Sequence, residues 1–353
     1  MVKTIYFAHL IEYTKEPVIN TIVKILGDQY SYKYVDNGRV FSNKYINFIF
    51  KKINIFINIF KIRDSIIQSF HIETTFFALL FNRYRNNRII FNYTEIYSES
   101  LSNKNIRLKI ISKYYQVIEP FTLKNSDVII VPSNVRKEYI IKKYPFLVNK
   151  DLYVIENIST YKNDIFVNKE IVGYLKHKHI MYIGTFKENR KLELLVEVAE
   201  ELYSHGIRVY LLGSENNFLN DKILVHKNIY YFGRVKHEEL LSMLRKCYIG
   251  IVIYDDNNIN NYLCAPLKIF DYINASVPFV AVDFPYIKEM KERINSDVFK
   301  TFQLNKKEFL KSILELDNEY DKYKKNIENL DKGTFKWDSQ KNEIQKIYNK
   351  LNF

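Results

Sequence analysis

Two short segments in the second half of the chain combine glycine, proline and cationic residues as an anion-binding site would. In the first, the strand-like run His179–Ile183 ends at Gly184, and a basic stretch that includes Arg190 leads from Thr185 into a helix. The free N–H groups and the dipole of a helix N-terminus attract anions, and a guanidinium adds charge-assisted hydrogen bonds. Taken alone, this loop favours the simpler interpretation, a solvated basic turn.

The second segment, Cys264–Tyr272, places a lysine where a helix begins. Pro266 suits the first helical turn because its φ is already fixed near the helical value. Lys268 in that turn is unfavourable to the helix dipole unless an anion lies between the ammonium and the helix end. Asp271 follows three residues later on the same face, where a carboxylate suits a ribose diol. The alternative is a local Lys268–Asp271 ion pair, but the two segments together favour a nucleotide site.

Strands and helices alternate through the second half and predict the framework that positions these segments. Short apolar runs end at Gly184, Gly213 and Gly233, and amphipathic stretches separate them. This alternation is typical of a parallel sheet covered on both faces, with ligands at the carboxyl ends of its strands. The first half repeats the pattern less regularly, with strand-like runs at 4–7, 89–91, 128–131 and 154–157, and a helix at 135–143 capped by Ser133 or Asn134. The fold class is therefore α/β.

A family resemblance follows from these motifs. The run Pro266–Tyr272, continued by Pro278–Ala281, resembles the nucleotide-sugar motif of the family-four glycosyltransferases, and Phe91–Glu99 resembles a conserved segment of their first domain. The resemblance implies the GT-B fold, in which two Rossmann-like domains face each other across a cleft. The corresponding divisions are residues 1–163 for an acceptor-binding domain, 164–337 for a donor-binding domain, and 338–353 for a helix that packs back on the first domain.

The resemblance also implies roles for individual residues. Arg190 and Lys268 would bind the donor diphosphate, Asp271 the ribose hydroxyls, and Glu95 would be an acid of the interdomain cleft. Glu95 and Lys268 are thus the candidate catalytic residues. The implied donor site consists of Gly184, Thr185, Arg190, Gly213, Pro266, Leu267, Lys268 and Asp271, and the implied acceptor side of His9, His71 and Glu73. For His71 a structural role is the preferred alternative.

The sequence departs from the family pattern at several of these positions. Leu263 stands where the family's paired acids would begin, and Asp271 is a shortened second member of the pair. Thr94 occupies the place of a histidine, and His9 follows the first strand where a Gly-Gly loop is usual. These departures motivate a second hypothesis, a catalytically silent GT-B subunit that binds a glycan or a partner transferase. A sugar-nucleotide epimerase is a third and less favoured hypothesis, since its acid and histidine pattern is not apparent.

The leading hypothesis is a hexosyltransferase-type glycosyltransferase. It would move a sugar from a nucleotide diphosphate donor, of the UDP or GDP type, to a cell-surface polysaccharide or a lipid-linked glycan. By analogy with the family, the reaction would retain the anomeric configuration and need neither a metal ion nor a cofactor. Asp255-Asp256 is a candidate metal pair, for which a solvated loop is the preferred interpretation.

Composition excludes several other classes of protein. The two cysteines among 353 residues are too few for a disulfide framework or a cysteine-based zinc site. The start of the chain lacks a small-residue cleavage site, and no run of about 18 apolar residues occurs, so neither a signal peptide nor a membrane-spanning helix is expected. We therefore expect a cytoplasmic protein, either free or peripheral on the inner face of the plasma membrane.

The net charge of +13 is unevenly distributed. Residues 1–175 hold 25 Lys/Arg and 15 Asp/Glu, whereas the remaining residues hold 28 and 25. A basic half suggests an anionic partner, although an AT-rich coding sequence would also enrich lysine. Signatures of nucleic-acid binding, such as zinc-finger spacing or an aromatic RNP pattern, do not occur, and no nucleic-acid partner is predicted.

Residues 44–61 form an unusual amphipathic pattern within this basic half. Polar residues at 44, 47, 51, 54, 58 and 61 predict a narrow stripe along one side of a helix, and most of the remaining surface is Ile, Phe and Tyr. A helix in the interface of an anionic membrane carries such a pattern. An ordinary buried helix whose polar edge faces solvent carries it too, and this second interpretation is preferred.

Overall fold

The chain divides into two compact units. A computed structural model describes residues 3–9, 17–35, 44–99, 106–158, 175–186, 190–213, 226–235 and 237–351. Unit 1 comprises Met1–Asn157 together with Trp337–Phe353, and unit 2 comprises Ile158–Lys336. The predicted boundary between residues 163 and 164 lies outside the described residues.

Unit 1 is built on a parallel sheet whose central strands are short and largely buried. Its strands are β1 (Lys3–Ala8), β2 (Tyr30–Tyr34), β3 (Ile66–Ser69), β4 (Arg88–Asn92), β5 (Val128–Val131) and β6 (Leu152–Val154), in the order β2-β1-β3-β4-β5-β6. The helices that connect them are α1 (Pro17–Leu26), α2 (Lys44–Lys61), α3 (Ile72–Phe81), α4 (Ile106–Asn125) and α5 (Asn134–Lys143). The direction of the strand order changes between β1 and β3.

Local sequence explains several of these boundaries. Ser133 caps α5 by accepting a hydrogen bond from the Arg136 N–H at 3.2 Å, which decides between the two predicted caps. The predicted last strand is present, but its bounds, 154–157, were wrong. The observed strand pairs Leu152–Val154 with Ile129–Val131, and beyond it the Ile155 N–H donates a hydrogen bond to Val131 O at 2.9 Å.

Unit 2 contains a second parallel sheet of six strands. They are β7 (His179–Ile183), β8 (Arg208–Leu212), β9 (Ile229–Tyr231), β10 (Ile249–Val252), β11 (Phe279–Val282) and β12 (Phe299–Phe302), in the order β12-β11-β10-β7-β8-β9. The helices are α6 (Glu193–Ser204), α7 (His237–Leu244), α8 (Ile259–Tyr262), α9 (Leu267–Asn274), α10 (Pro285–Ile294), α11 (Lys306–Asn318) and α12 (Tyr320–Asn329). Here the strand order reverses between β7 and β10. The α/β class with two parallel sheets is confirmed.

The C-terminal segment belongs to unit 1. Its helix α13 (Lys341–Lys350) buries Ile344, Ile347 and Tyr348, and the Tyr348 hydroxyl donates a hydrogen bond to Gln68 at the end of β3. Just before this helix, the Gln340 side chain exchanges two hydrogen bonds with the backbone of Glu156, at 2.6 and 3.0 Å. The predicted return of the last helix to the first domain is confirmed. Within the described ranges, every helix is too short or too polar to cross a bilayer.

Candidate functional site

The carboxyl ends of β7 and β8 approach each other so closely that only glycine fits between them. A Cβ atom on Gly213 would lie 1.7 Å from the backbone oxygen of Gly184, a separation no real pair of atoms adopts. The Gly184 N–H donates to Leu212 O, and the Gly213 N–H donates to Gly233 O, both at 2.9 Å. Gly184 and Gly213 therefore let the carboxyl ends of β7 and β8 lie directly side by side. We call this edge of the sheet the rim.

A pocket of about 310 Å³ opens at this rim. It is lined by Ile183, Gly184, Thr185, Leu212, Gly213, Arg234, Val235 and Leu240. Three of the predicted donor residues, Gly184, Thr185 and Gly213, line it. Arg234 adds an exposed cation that sequence reasoning missed, although its position directly after the strand-end Gly233 was an available signal.

The Lys268 ammonium lies beside the same rim. Pro266 precedes the first turn of α9, and from that turn the Lys268 side chain reaches Gly184, where an added Cβ would meet Nζ at 3.1 Å. The Nζ atom is buried, and it has no hydrogen-bond partner among the described residues. It lies 3.8 Å from the centroid of the Tyr182 ring and 5.3 Å from that of Tyr254. Aromatic faces stabilise the cation in part, but they accept none of its hydrogen bonds.

Arg190 converges on the same place. Its guanidinium carbon lies 4.5 Å from the centroid of the Tyr254 ring, so Arg190 and Lys268 share one aromatic neighbour. Burial lowers the pKa of Lys268 well below its usual value, and the nearby Arg190 charge lowers it further. Two cations held together in this way repel each other and favour an anion between or beside them.

This convergence occurs at the switch point of the sheet. Arg190 follows β7, and Tyr254 follows β10, the two neighbouring strands between which the strand order reverses. In open α/β sheets, ligands bind in the crevice outside the strand ends at this point. The predicted clustering of Gly184, Arg190 and Lys268 is therefore present in unit 2.

Asp271 lies one turn deeper in α9. Its side chain is buried, with only 5% of the residue exposed. Lys268 Nζ makes no hydrogen bond to it, although the Asp271 charge opposes the lowering of the Lys268 pKa. A hydrogen-bonded Lys268–Asp271 ion pair, the simpler sequence interpretation, was therefore wrong. Leu267, by contrast, is partly exposed at the helix start.

In unit 1, the segment that holds Glu95 is anchored by a buried carboxylate, Glu119 of α4. Glu119 accepts hydrogen bonds from the Tyr93 and Tyr144 hydroxyls at 2.7 and 2.8 Å, from the Tyr97 N–H at 2.7 Å, and from the Ser98 hydroxyl. Glu95 itself is exposed. Sequence reasoning missed Glu119, because its partners come from segments more than twenty residues away along the chain.

The predicted acceptor residues also gather at a switch point. His9 follows β1 and His71 follows β3, and their rings lie 4.7 Å apart between centroids. Glu73 lies in the first turn of α3, accepts a hydrogen bond from the Tyr115 hydroxyl at 2.9 Å, and lies 3.5 Å from Lys52 Nζ of α2.

The candidate metal pair Asp255-Asp256 lies in unit 2, where the Asp255 carboxylate accepts a hydrogen bond from the Asn257 N–H at 2.6 Å. Within the described ranges, no group of three or more His, Cys, Asp or Glu side chains could hold a metal ion.

Comparison with known proteins places the whole chain in one architecture. No family model and no curated protein sequence matches it. Among solved structures, sucrose-phosphate synthase from Thermosynechococcus elongatus aligns with 99% of this chain and 99% of its own, at a TM-score of 0.72 and 10% identity. Anabaena HepE in complex with UDP-glucose aligns with 99% of this chain and 100% of its own, at a TM-score of 0.69 and 11% identity. The chain has the GT-B fold.

The GT-B fold is shared by proteins with different named activities. A putative UDP-N-acetylglucosamine 2-epimerase from Listeria monocytogenes also aligns, over 92% of this chain and 90% of its own, at a TM-score of 0.53 and 13% identity. At such identities the likeness establishes the fold. The chemistry must therefore be argued from the residues at the strand ends.

Proposed function

We propose that this chain is a glycosyltransferase that uses a nucleotide diphosphate sugar, with UDP as the favoured nucleotide. The observation that carries the proposal is the buried Lys268 ammonium, which has no hydrogen-bond partner among the described residues and lies beside Arg190 at the switch point of unit 2. A diphosphate would supply the missing acceptors and offset the repulsion between the two cations. HepE, with which this chain aligns, binds UDP-glucose, and this supports a nucleotide sugar as the donor.

The proposed chemistry is transfer of the sugar to an acceptor hydroxyl. The bond between the anomeric carbon and the diphosphate oxygen breaks, and its electron pair leaves with the diphosphate. The acceptor oxygen bonds to the anomeric carbon, and its proton passes to the departing diphosphate. Arg190, Lys268 and the free N–H groups of α9 would stabilise the negative charge that develops on the diphosphate, which is the type of interaction that accelerates such a reaction most.

Several finer features belong to the same proposal. The acceptor would be a cell-surface polysaccharide or a lipid-linked glycan, and His9, His71, Glu73 and Glu95 are its candidate residues in unit 1. Transfer would retain the anomeric configuration, and the nucleotide sugar is a substrate, so the scheme calls for no metal ion or cofactor. A lipid-linked acceptor is anchored in a membrane, so an enzyme that uses it must reach the membrane surface. This supports a cytoplasmic location at the inner face of the plasma membrane.

The test is nucleotide binding by matched arginine variants. UDP, GDP, ADP, CMP and dTDP are compared by thermal shift and calorimetry, since a ligand of the folded state raises its apparent stability. Arg190→Ala should weaken UDP binding about tenfold to a hundredfold, the effect of losing one charge-assisted hydrogen bond. Arg208→Ala is the control. Arg208 also stacks on a tyrosine, Tyr230, but it lies at the amino end of β8, whereas the proposed site lies at the carboxyl ends of the strands. Equal losses in both variants would contradict the proposed site.

Lys268→Met separates binding from stability. It should abolish UDP binding and yet raise the free energy of unfolding of the ligand-free protein by about 1–3 kcal/mol, because it removes a buried, unsatisfied donor. A less stable ligand-free variant would show that Lys268 has a structural role instead.

One alternative has its own supporting observation. Leu263 occupies the place of the first acid of the family motif and is buried, with 4% of the residue exposed. This substitution favours the silent GT-B subunit, which would bind a nucleotide or glycan without turnover. Hydrolysis or transfer of a UDP-sugar that is lost in Lys268→Met would reject this alternative.

A further inference from the structure

Helices α2, α3 and α4 lie side by side in unit 1 and are joined by aromatic contacts. Phe56 of α2 packs against Phe77 of α3, with ring centroids 3.7 Å apart, and Phe76 of α3 packs against Phe121 of α4 at 5.5 Å. Below these contacts, Ile55 and Ile59 of α2 belong to the core that covers β1, β3 and β4. The opposite surface of the three helices faces away from the sheet.

The outward surface of α2 is apolar. Phe50, Ile53, Ile57 and Phe60 follow the three- and four-residue spacing of one helix face, and each is between 44% and 48% exposed. Within the polar stripe, Lys51, Asn54 and Asn58 are partly accessible and Lys61 is exposed. At about 100° per residue, this stripe lies on the flank of α2 opposite Phe56, and therefore away from α3. The apolar face of α2 is therefore accessible to solvent in addition to its polar stripe.

Helix α4 repeats this arrangement on the other side of α3. Its outward residues also follow one helix face, and all are exposed: Ile106, Ile110, Tyr114, Val117 and Phe121. Lys109 and Lys113 project beside this stripe, on the flank turned away from Phe121 and α3. Between the two helices, Leu80 of α3 is 53% exposed. The result is one continuous apolar surface, the three-helix face, with polar or cationic flanks on both outer edges.

The exposed charges on the three helices themselves have one sign. The three helices contain only two acidic residues, Glu73 and Glu119, and both are buried. Their exposed charged residues are cations, including Lys61, Lys109, Lys113 and Lys124. At the end of α2, Arg85 stacks on the exposed Phe60 ring, with 4.2 Å between the guanidinium carbon and the ring centroid.

We infer that the three-helix face binds the surface of an anionic membrane. Helices that lie in the interface bury an apolar face at the boundary of the acyl chains and place lysine and arginine among the headgroups. Each cation near an anionic leaflet strengthens this attraction. Exposed apolar patches mark interaction sites, and the mainly cationic surroundings of this one favour an anionic lipid surface over a second copy of this basic chain. The inference concerns unit 1 alone and is independent of the proposed transfer reaction.

The test uses the full chain and vesicles with equal parts of phosphatidylcholine and phosphatidylglycerol. The wild-type protein should sediment with these vesicles and not with pure phosphatidylcholine, and added salt should weaken the binding. Ile57→Glu on α2 and Val117→Glu on α4 should each weaken binding about tenfold, because each removes one inserted aliphatic side chain.

Val148→Glu is the matched control. Val148 is 67% exposed, compared with 71% for Val117, lies in the helical turn Pro145–Asn149 of the same unit, and gives the same change in charge. This variant should bind like the wild type, and circular dichroism should show that all three variants fold. Equal loss in Val148→Glu would overturn the inference, and so would unaffected binding in Val117→Glu, which would confine any contact to α2. A dimer that Val117→Glu converts to a monomer, without vesicle binding, would identify the face as a contact between copies instead.

Discussion

Two buried titratable side chains of unit 2, Lys268 and His179, differ in how their nitrogen atoms are hydrogen-bonded. His179 satisfies both ring nitrogens: Nδ1 donates to His177 O at 2.8 Å, and Nε2 accepts from the Tyr248 N–H at 3.2 Å. Both nitrogens of the neutral ring are therefore hydrogen-bonded within the protein. The Lys268 ammonium finds no hydrogen-bond partner among the described residues. The first arrangement is typical of structure and the second of a binding site.

His179 should make the stability of unit 2 depend on pH. Burial lowers the pKa of His179 from 6.5 to about 4. Between these values the unfolded chain binds a proton that the folded chain does not, so stability is lost as pH falls from 6.5 towards 4. The difference in pKa corresponds to about 3 kcal/mol. In urea unfolding at a series of pH values, His179→Gln should flatten this dependence, whereas His205→Gln, at an exposed histidine, should not.

At the scale of the elements, the segment Tyr93–Glu99 depends on α4 for its shape. It has little regular structure, and Glu119 accepts hydrogen bonds from Tyr93, Tyr97 and Ser98 within it. Lys143 of α5 lies 3.5 Å from the Glu119 carboxylate. A single carboxylate thus fixes the segment that presents Glu95, and its charge is matched by several donors.

Glu119→Gln should loosen this segment. The glutamine side chain has one acceptor oxygen in place of two, and its NH2 group points donors at the donors that already surround Glu119. We therefore expect the free energy of unfolding to fall by about 2–4 kcal/mol. Hydrogen exchange should also quicken at the amides of Tyr97 and Ser98. Glu138→Gln, at an exposed glutamate of α5, is the control and should change neither quantity. Unchanged protection at Tyr97 in Glu119→Gln would show that other contacts hold the segment.

The elements also show which features local sequence determines. Strands β7, β8 and β10 were predictable because each is a continuous apolar run, as expected for the interior of a parallel sheet. Strands β2 and β3 were missed. The first is an edge strand with alternating Tyr, Ser and Lys. The second ends in Gln68 and Ser69, which are buried and bonded to Asn92 and Thr74. In the site, the placement of two loops at strand ends and the family resemblance predicted that Arg190 and Lys268 act together. The roles of Tyr254 and Glu119 depend on long-range contacts that neither of these reveals.

At the scale of the whole molecule, the two chain ends meet in one unit. Helix α13 supplies Ile344, Ile347 and Tyr348 to unit 1, and Tyr348 packs on Tyr30 of β2 with 5.8 Å between ring centroids. The Lys3 ammonium donates to the backbone oxygen of Leu351 at 3.4 Å. Unit 2 is therefore a continuous segment inserted between two parts of unit 1, and the proposed donor residues all fall within that segment.

This organisation predicts that damage to α13 affects unit 1 and leaves nucleotide binding intact. Ile347→Asp buries a carboxylate at a position with no exposed surface and should lower the free energy of unfolding of unit 1 by about 3–5 kcal/mol. Hydrogen exchange should quicken at β1 and β3, while the calorimetric UDP affinity stays within a factor of two or so of the wild type. Asn349→Asp places the same new charge on the exposed side of α13 and should leave both measurements unchanged. If Ile347→Asp instead abolished UDP binding in molecules whose unit 2 amides remain protected, the nucleotide site would have to include residues of unit 1.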